Sequence, residues 1–239
     1  MEAIGRFASW WCDKAWLVCV YAIAVIASVV LIMNWNVFDT PEKIAWLLAI
    51  FIPAHVFEEN TFPGGFFFMN NLTFGSKDPL VYPQNRATNM VTNLGAEIVF
   101  VLIAVNASAL GPIAVTVAIF FGIVEFANHT REGIGMWKRF RSSGKKTIYA
   151  PGLATSCFLL LPLAVGGIAW LAANPFDWMQ ILAGVGICIG IAVCLILIPF
   201  AINLKAKSTE FAFKDAAYFS KYAERLGQQF GNTEIPRSR

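Results

Sequence analysis

Long apolar runs separated by short polar connections set the pattern of the chain, and they predict six helices of about the 20 residues needed to span a bilayer. The first runs from about Ala15 to Met33, after a piece with Trp10, Trp11 and Trp16 at headgroup depth. Thr40-Pro41-Glu42 supplies a cap, a first-turn proline and an early acid for a second helix to about Glu59, and Pro53 predicts a kink within it. A connection from Thr61 to about Thr88 holds Phe66-Phe67-Phe68-Met69, an apolar patch that either dips into the membrane or packs against the bundle. Further spans are expected over Asn89–Val105, Pro112–His129, Tyr149–Ala172 and Trp178–Leu204.

Composition turns this pattern into a class. Apolar residues make up 57% of the chain, charged residues only 14%, and the mean hydropathy is +0.61, which excludes an ordinary soluble domain. We expect an all-α, polytopic membrane bundle over residues 1–204, followed by a tail at 205–239 with an amphipathic stretch around Phe211–Leu226. The tail is expected either on the membrane surface or as a solvated extension. Glu2, Arg6, Asp13 and Lys14 precede a run long enough to span, which favours a retained first helix over a cleaved signal peptide. The five cysteines lie mostly in or beside apolar segments and have no metal-ligand spacing.

Charge distribution orients the bundle. Under the six-span reading only Lys43 of the 18 Lys and Arg residues lies on one side, so both termini and the basic Arg131–Lys146 connection are expected in the cytoplasm, in a multi-pass inner-membrane protein. That connection could contact anionic lipid or a phosphate headgroup, although topology alone accounts for it. No nucleic-acid partner is expected.

The same topology gathers the candidate chemistry. Helix two ends with His55, Glu58 and Glu59, helix three leaves the same face with Asn89, Asn93 and Glu97, and helix four arrives there with Glu125, Asn128 and His129. Carboxylates near hydrocarbon cost several kcal/mol unless they pair or line a cavity. Two chemistries fit. His55, Glu58, Glu59, Glu97, Glu125 and His129 are ligand types for a divalent metal such as iron, manganese or zinc. Without a metal, the same groups could act as acid and base on an apolar substrate, with Asn93 and Asn128 orienting them. A buried network that only clamps the helices is the structural alternative. The leading expectation is an enzyme for a lipid or isoprenoid-like substrate. The others are a proton or metal-ion carrier, disfavoured because the polar groups crowd one face, and a structural membrane subunit.

His55-Val56-Phe57-Glu58-Glu59 also resembles the signature of the small bacterial membrane proteins named for a His-x-x-Glu-Glu motif. Further matches are Phe62-Pro63-Gly64, Asn93, His129 with Arg131, and Tyr149-Ala150-Pro151-Gly152-Leu153, where Ala150 replaces an expected asparagine; together they cover about residues 45–170. The resemblance implies a membrane protein with a polar site, metal-dependent or catalytic, and names no substrate.

Overall fold

The computed structural model describes residues 7–230, with side chains to 225; Glu2, Arg6 and the last part of the tail lie outside it. Every regular element among the described residues is helical. Five helices are long and apolar enough to cross a membrane: α1 (Phe7–Met33), α4 (Arg86–Val105), α5 (Pro112–Phe140), α6 (Leu153–Ala173) and α7 (Trp178–Ala206). This marks the chain as a membrane protein. The expected second span, outside these five, is α2 (Thr40–Asn60), whose ends carry Glu42, Lys43, Glu58 and Glu59 around a shorter apolar centre. It is an inner helix, with contacts to α1, α4, α5 and α6, and Asp39 and Glu42 close its N-terminus in a reciprocal cap.

Several expected boundaries shift. Helix α4 starts at Arg86 because Asn85 and Thr88 cap it reciprocally, and α1 extends back through Trp10 and Trp11. More consequential is α5, expected to end at His129 but continuing to Phe140. Nothing between Thr130 and Phe140 breaks a helix, and Gly144, with φ of 93°, turns the chain soon after it ends. His129 therefore sits within a helix, with a full turn after it to hold its backbone.

The Phe66–Met69 patch forms a short helix, α3 (Phe66–Thr73), and it packs inward. Phe67, Phe68 and Met69 join Met136, Phe140, Ala150, Phe219 and Tyr222 in a second core beyond the main bundle. The tail supplies part of that core through Phe219 and Tyr222, while Lys214, Lys221, Glu224 and Arg225 stay exposed. Phe213 stacks on Phe67, and α8 (Ser220–Phe230) follows a short 3-10 turn in which Phe219 is fully buried.

Two cationic side chains fasten the tail. Arg86 donates to the carbonyls of Glu210 and Ala212 at 3.0 Å each and to the Ser9 carbonyl at 3.3 Å, joining tail, α4 and α1. Lys145 is buried beneath the rings of Tyr218, Phe219 and Tyr222, 4.9–5.8 Å from their centroids, and donates to the Tyr149 carbonyl and the Tyr218 hydroxyl. Burial, with the Lys221 charge nearby, pulls the Lys145 pKa down to about 8.

Candidate metal centre

Helical geometry brings the first two pairs together. His55 and Glu59 are one turn apart on α2, Glu125 and His129 one turn apart on α5, and each pair shares a helix face. The faces meet: His55 Nε2 and His129 Nε2 lie 3.2 Å apart, 74 positions apart in sequence. His129 Nε2 lies 3.1 Å from Glu59 Oε1 and 3.3 Å from Glu125 Oε2. His55 Nε2 lies 3.4 and 3.6 Å from the same two oxygens.

These separations have a chemical meaning. Four ligands about 2.0–2.1 Å from a tetrahedral ion are spaced about 3.3–3.4 Å from one another. His55 Nε2, Glu59 Oε1 and His129 Nε2 lie 3.1–3.4 Å from one another and match that spacing, while Glu125 Oε2 approaches the two imidazole nitrogens at 3.3 and 3.6 Å without joining the group whose ligand atoms all lie within 4.8 Å of one another. His55, Glu59 and His129 form a buried group able to hold a metal ion, and the Glu125 side chain, 21% exposed against 5% or less for the others, lies beside it.

A supporting layer fixes the His55 ring. Thr155 Oγ donates to Glu58 at 2.6 Å, which spends its only proton, so at 2.8 Å it accepts from His55 Nδ1. His55 Nε2 is thereby left with a lone pair facing the cluster. Glu58 is held in turn by the backbone N–H groups of Ala154 at 3.2 Å and Thr155 at 2.8 Å, at the start of α6. Glu58 also stands beside Tyr149, and burial together with that carboxylate raises the Tyr149 pKa. The two glutamates of the motif thus do different things: Glu59 faces the cluster, and Glu58 positions its histidine through Thr155.

His129 is placed by close packing. A Cβ at Gly152, where φ is +92°, would fall 2.1–2.7 Å from three atoms of the His129 ring, so only glycine lets the chain turn there. On another side the Phe66 ring lies 5.0 Å from the imidazole, tying α3 to the site. His129 Nδ1 has no hydrogen-bond partner.

The remaining candidates stand apart. Glu97 is fully buried on α4, and neither of its oxygens has a hydrogen-bond partner. Asn93 donates to Asn89 of its own helix, within an amide network in which Asn89 reaches Asn60 at 2.6 Å and Gln84 reaches Asn89 at 2.7 Å. Asn128 is exposed on α5. Glu58 lies behind His55, away from the four converging atoms. Thr155 and Gly152 were not expected in the site from sequence. Beyond starting a span, Tyr149–Leu153 enters through the family resemblance alone, and no periodicity marks a residue that acts through another side chain.

No curated protein and no solved structure matches the chain. A family model described as "Protein of unknown function with HXXEE motif" matches residues 46–166, a segment that contains every residue of the converging group and of its supporting layer. On that match, which takes in half of its length, the chain belongs to the HXXEE family.

Proposed function

We propose that the chain is an integral-membrane metalloenzyme that hydrolyses a lipid or isoprenoid-like substrate. The observation that carries this reading is the buried convergence of His55 Nε2, Glu59 Oε1 and His129 Nε2, 3.1–3.4 Å from one another, the spacing of three ligands around one ion. Three nitrogen and oxygen donors with a fourth position left open favour zinc over iron or manganese, which take more ligands. Bound there, such an ion would polarise an ester or phosphoester and make water a nucleophile near neutral pH.

The chain's own residues divide the remaining work. His55, Glu59 and His129 would hold the ion, matching the three-ligand count of hydrolytic zinc sites. Glu125, beside both imidazoles and the most exposed of the four side chains, would accept the proton of the attacking water. Glu58 and Thr155 keep the His55 tautomer fixed, and Phe66 shields one side of His129 from water. A metal-free acid–base cluster is the second reading, favoured by the unpartnered His129 Nδ1, because a ligating histidine ordinarily donates its other N–H.

The contrast between the two carboxylates tests the division of roles. Glu59→Gln is expected to lose the ion, whereas Glu125→Gln keeps it and changes the visible spectrum of the cobalt-substituted protein. Incubation with membrane lipid extract, followed by mass spectrometry, is expected to give a cleaved lipid product with native protein and none with Glu125→Gln or after chelation. A product that persists after chelation would favour the acid–base reading, and no product from native, metal-loaded protein would remove the enzyme.

The proposal includes topology: six spans counting α2, both termini in the cytoplasm, and the site open to the inner leaflet of the inner membrane. Its support is the basic-residue count and the meeting of the α1 start, Arg86 and the tail at one end of the bundle. In intact cells, Asn36→Cys and Ser108→Cys are expected to label from outside and Ser142→Cys to stay shielded. Outside labelling of Ser142→Cys would reverse the orientation.

A further inference from the structure

The part of α5 beyond His129 carries a second cluster that the metal centre does not use. A cleft of about 560 Å³ opens at the seam of α3 and α5, lined by Thr73, Arg131, Glu132, Met136, Lys138 and Arg139, with Gly135 in its wall. Arg131, Lys138 and Arg139 recur near one face of the helix and are exposed, with no carboxylate within ion-pair distance among the described residues. Positive-inside bias alone explains cations at this depth. It does not explain Glu132.

Glu132 is 5% exposed, lines the same cleft, and its Oε2 has no hydrogen-bond partner. A buried carboxylate oxygen left without a donor costs several kcal/mol, so a donor from outside the chain is the arrangement that satisfies it. Gly135 points the same way. Its neighbour Gly133 is required, since a Cβ there would strike the Ile148 carbonyl, but a Cβ at Gly135 would meet nothing within 4 Å. The space over Gly135 is open and the helix does not need a glycine there; alanine would favour the helix by about 1 kcal/mol.

We infer that this cleft binds the headgroup of a phospholipid carrying a hydrogen-bond donor, an ammonium or hydroxyl, with the phosphate on Arg131, Lys138 and Arg139 and the donor on Glu132. Guanidinium forks suit phosphate oxygens, and the carboxylate takes the donor that a quaternary headgroup lacks. Glu132 lies about 5 Å along the helix axis from His129, so a lipid held here would present the bonds next to its headgroup to the metal centre. That last step rests on the proposed function and orientation, whereas binding itself requires neither.

The test uses the full chain in detergent, titrated calorimetrically with dihexanoyl phosphatidylethanolamine, phosphatidylglycerol and phosphatidylcholine, and with inorganic phosphate. The first two are expected to bind about tenfold or more tighter than phosphatidylcholine. Glu132→Leu is expected to erase that preference, Arg131→Ala and Arg139→Ala to weaken all three lipids, and Gly135→Phe to abolish binding by filling the cleft. Equal affinities for the three lipids would overturn the proposal, as would binding untouched by both Gly135→Phe and the arginine variants. Inorganic phosphate binding as tightly as the lipids would assign the cleft to a free anion and overturn the lipid. Metal content measured on the same samples separates the two readings: headgroup binding without metal would leave this inference standing and remove the metalloenzyme.

Discussion

Replacing His129 with alanine is expected to strip the bound ion from the purified protein, lowering affinity by more than the roughly 10- to 100-fold that loss of a supporting residue costs. His129 Nε2 is within 3.3 Å of all three other converging atoms, so its removal opens the group more than any other single change. His55→Ala is expected to do the same. Because either change already breaks one constellation, the double variant should lose little more than each single one. Alanine also leaves Glu59 and Glu125 facing each other with less compensation, a cost of about 3–5 kcal/mol when a buried charge loses its partner. His129→Gln, which keeps a hydrogen-bonding side chain, separates that cost from ligand loss: it should insert and fold more stably than His129→Ala and still lack the ion. Metal per chain by elemental mass spectrometry, beside circular dichroism for helix content, reads both effects. Retention of a full equivalent of ion by His129→Gln and His129→Ala would take His129 out of the site.

Gly152→Ala is the second large effect, and it leaves every ligand chemically intact. The added methyl would lie 2.1 Å from His129 Cε1, well inside contact distance, so either the imidazole or the Ala150–Leu153 turn must move. Movement of the ring by even about 1 Å spoils a first shell whose bonds are near 2 Å. We expect loss of most of the ion, comparable to His129→Ala. Backbone strain contributes as well, since φ is +92° there and alanine at such a position costs about 1 kcal/mol or more. Gly75→Ala is the matched control, because Gly75 has φ of +73° and nothing within 4 Å of its Cβ position. Gly75→Ala should lower stability alone and keep the metal. Equal metal loss in both variants would trace the effect to general destabilisation rather than to the His129 contact.

How much of this was legible in the sequence depends on the kind of signal. The apolar runs are visible because bilayer thickness imposes their length, and five of them meet that requirement as helices. The partnership of α2 with α5 followed from polar residues crowding the same end of two helices, since a carboxylate beside hydrocarbon needs company. Which glutamate faces the site was not legible: Glu58 and Glu59 are adjacent on a helix about 100° apart, and either could share the face of His55. The rotation of α2 against α6, where Thr155 and two backbone N–H groups take Glu58, makes that choice. Glu97 fits the topological argument as well as Glu125 does, yet no hydrogen bond or ion pair joins it to the four atoms, because periodicity states depth better than direction. The continuation of α5 past His129 was hidden by its charges, which read as a connection although Arg131–Arg139 contains nothing that breaks a helix. The fold of the tail over α3 was hidden for a different reason. The amphipathic stripe of the tail is visible in sequence, but its partners Phe67, Phe68, Phe140 and Lys145 come from two distant parts of the chain and nothing local names them.

X-ray absorption at the metal edge of the native protein, purified without chelator and with metal per chain determined in the same sample, tests the central claim most directly. The account predicts one zinc-class ion per chain with two imidazole nitrogens and at least one carboxylate oxygen at about 2.0–2.1 Å. It is contradicted by a folded protein that holds no ion after equilibration with zinc, iron or manganese, or by an ion whose spectrum shows no imidazole and survives His55→Ala with His129→Ala.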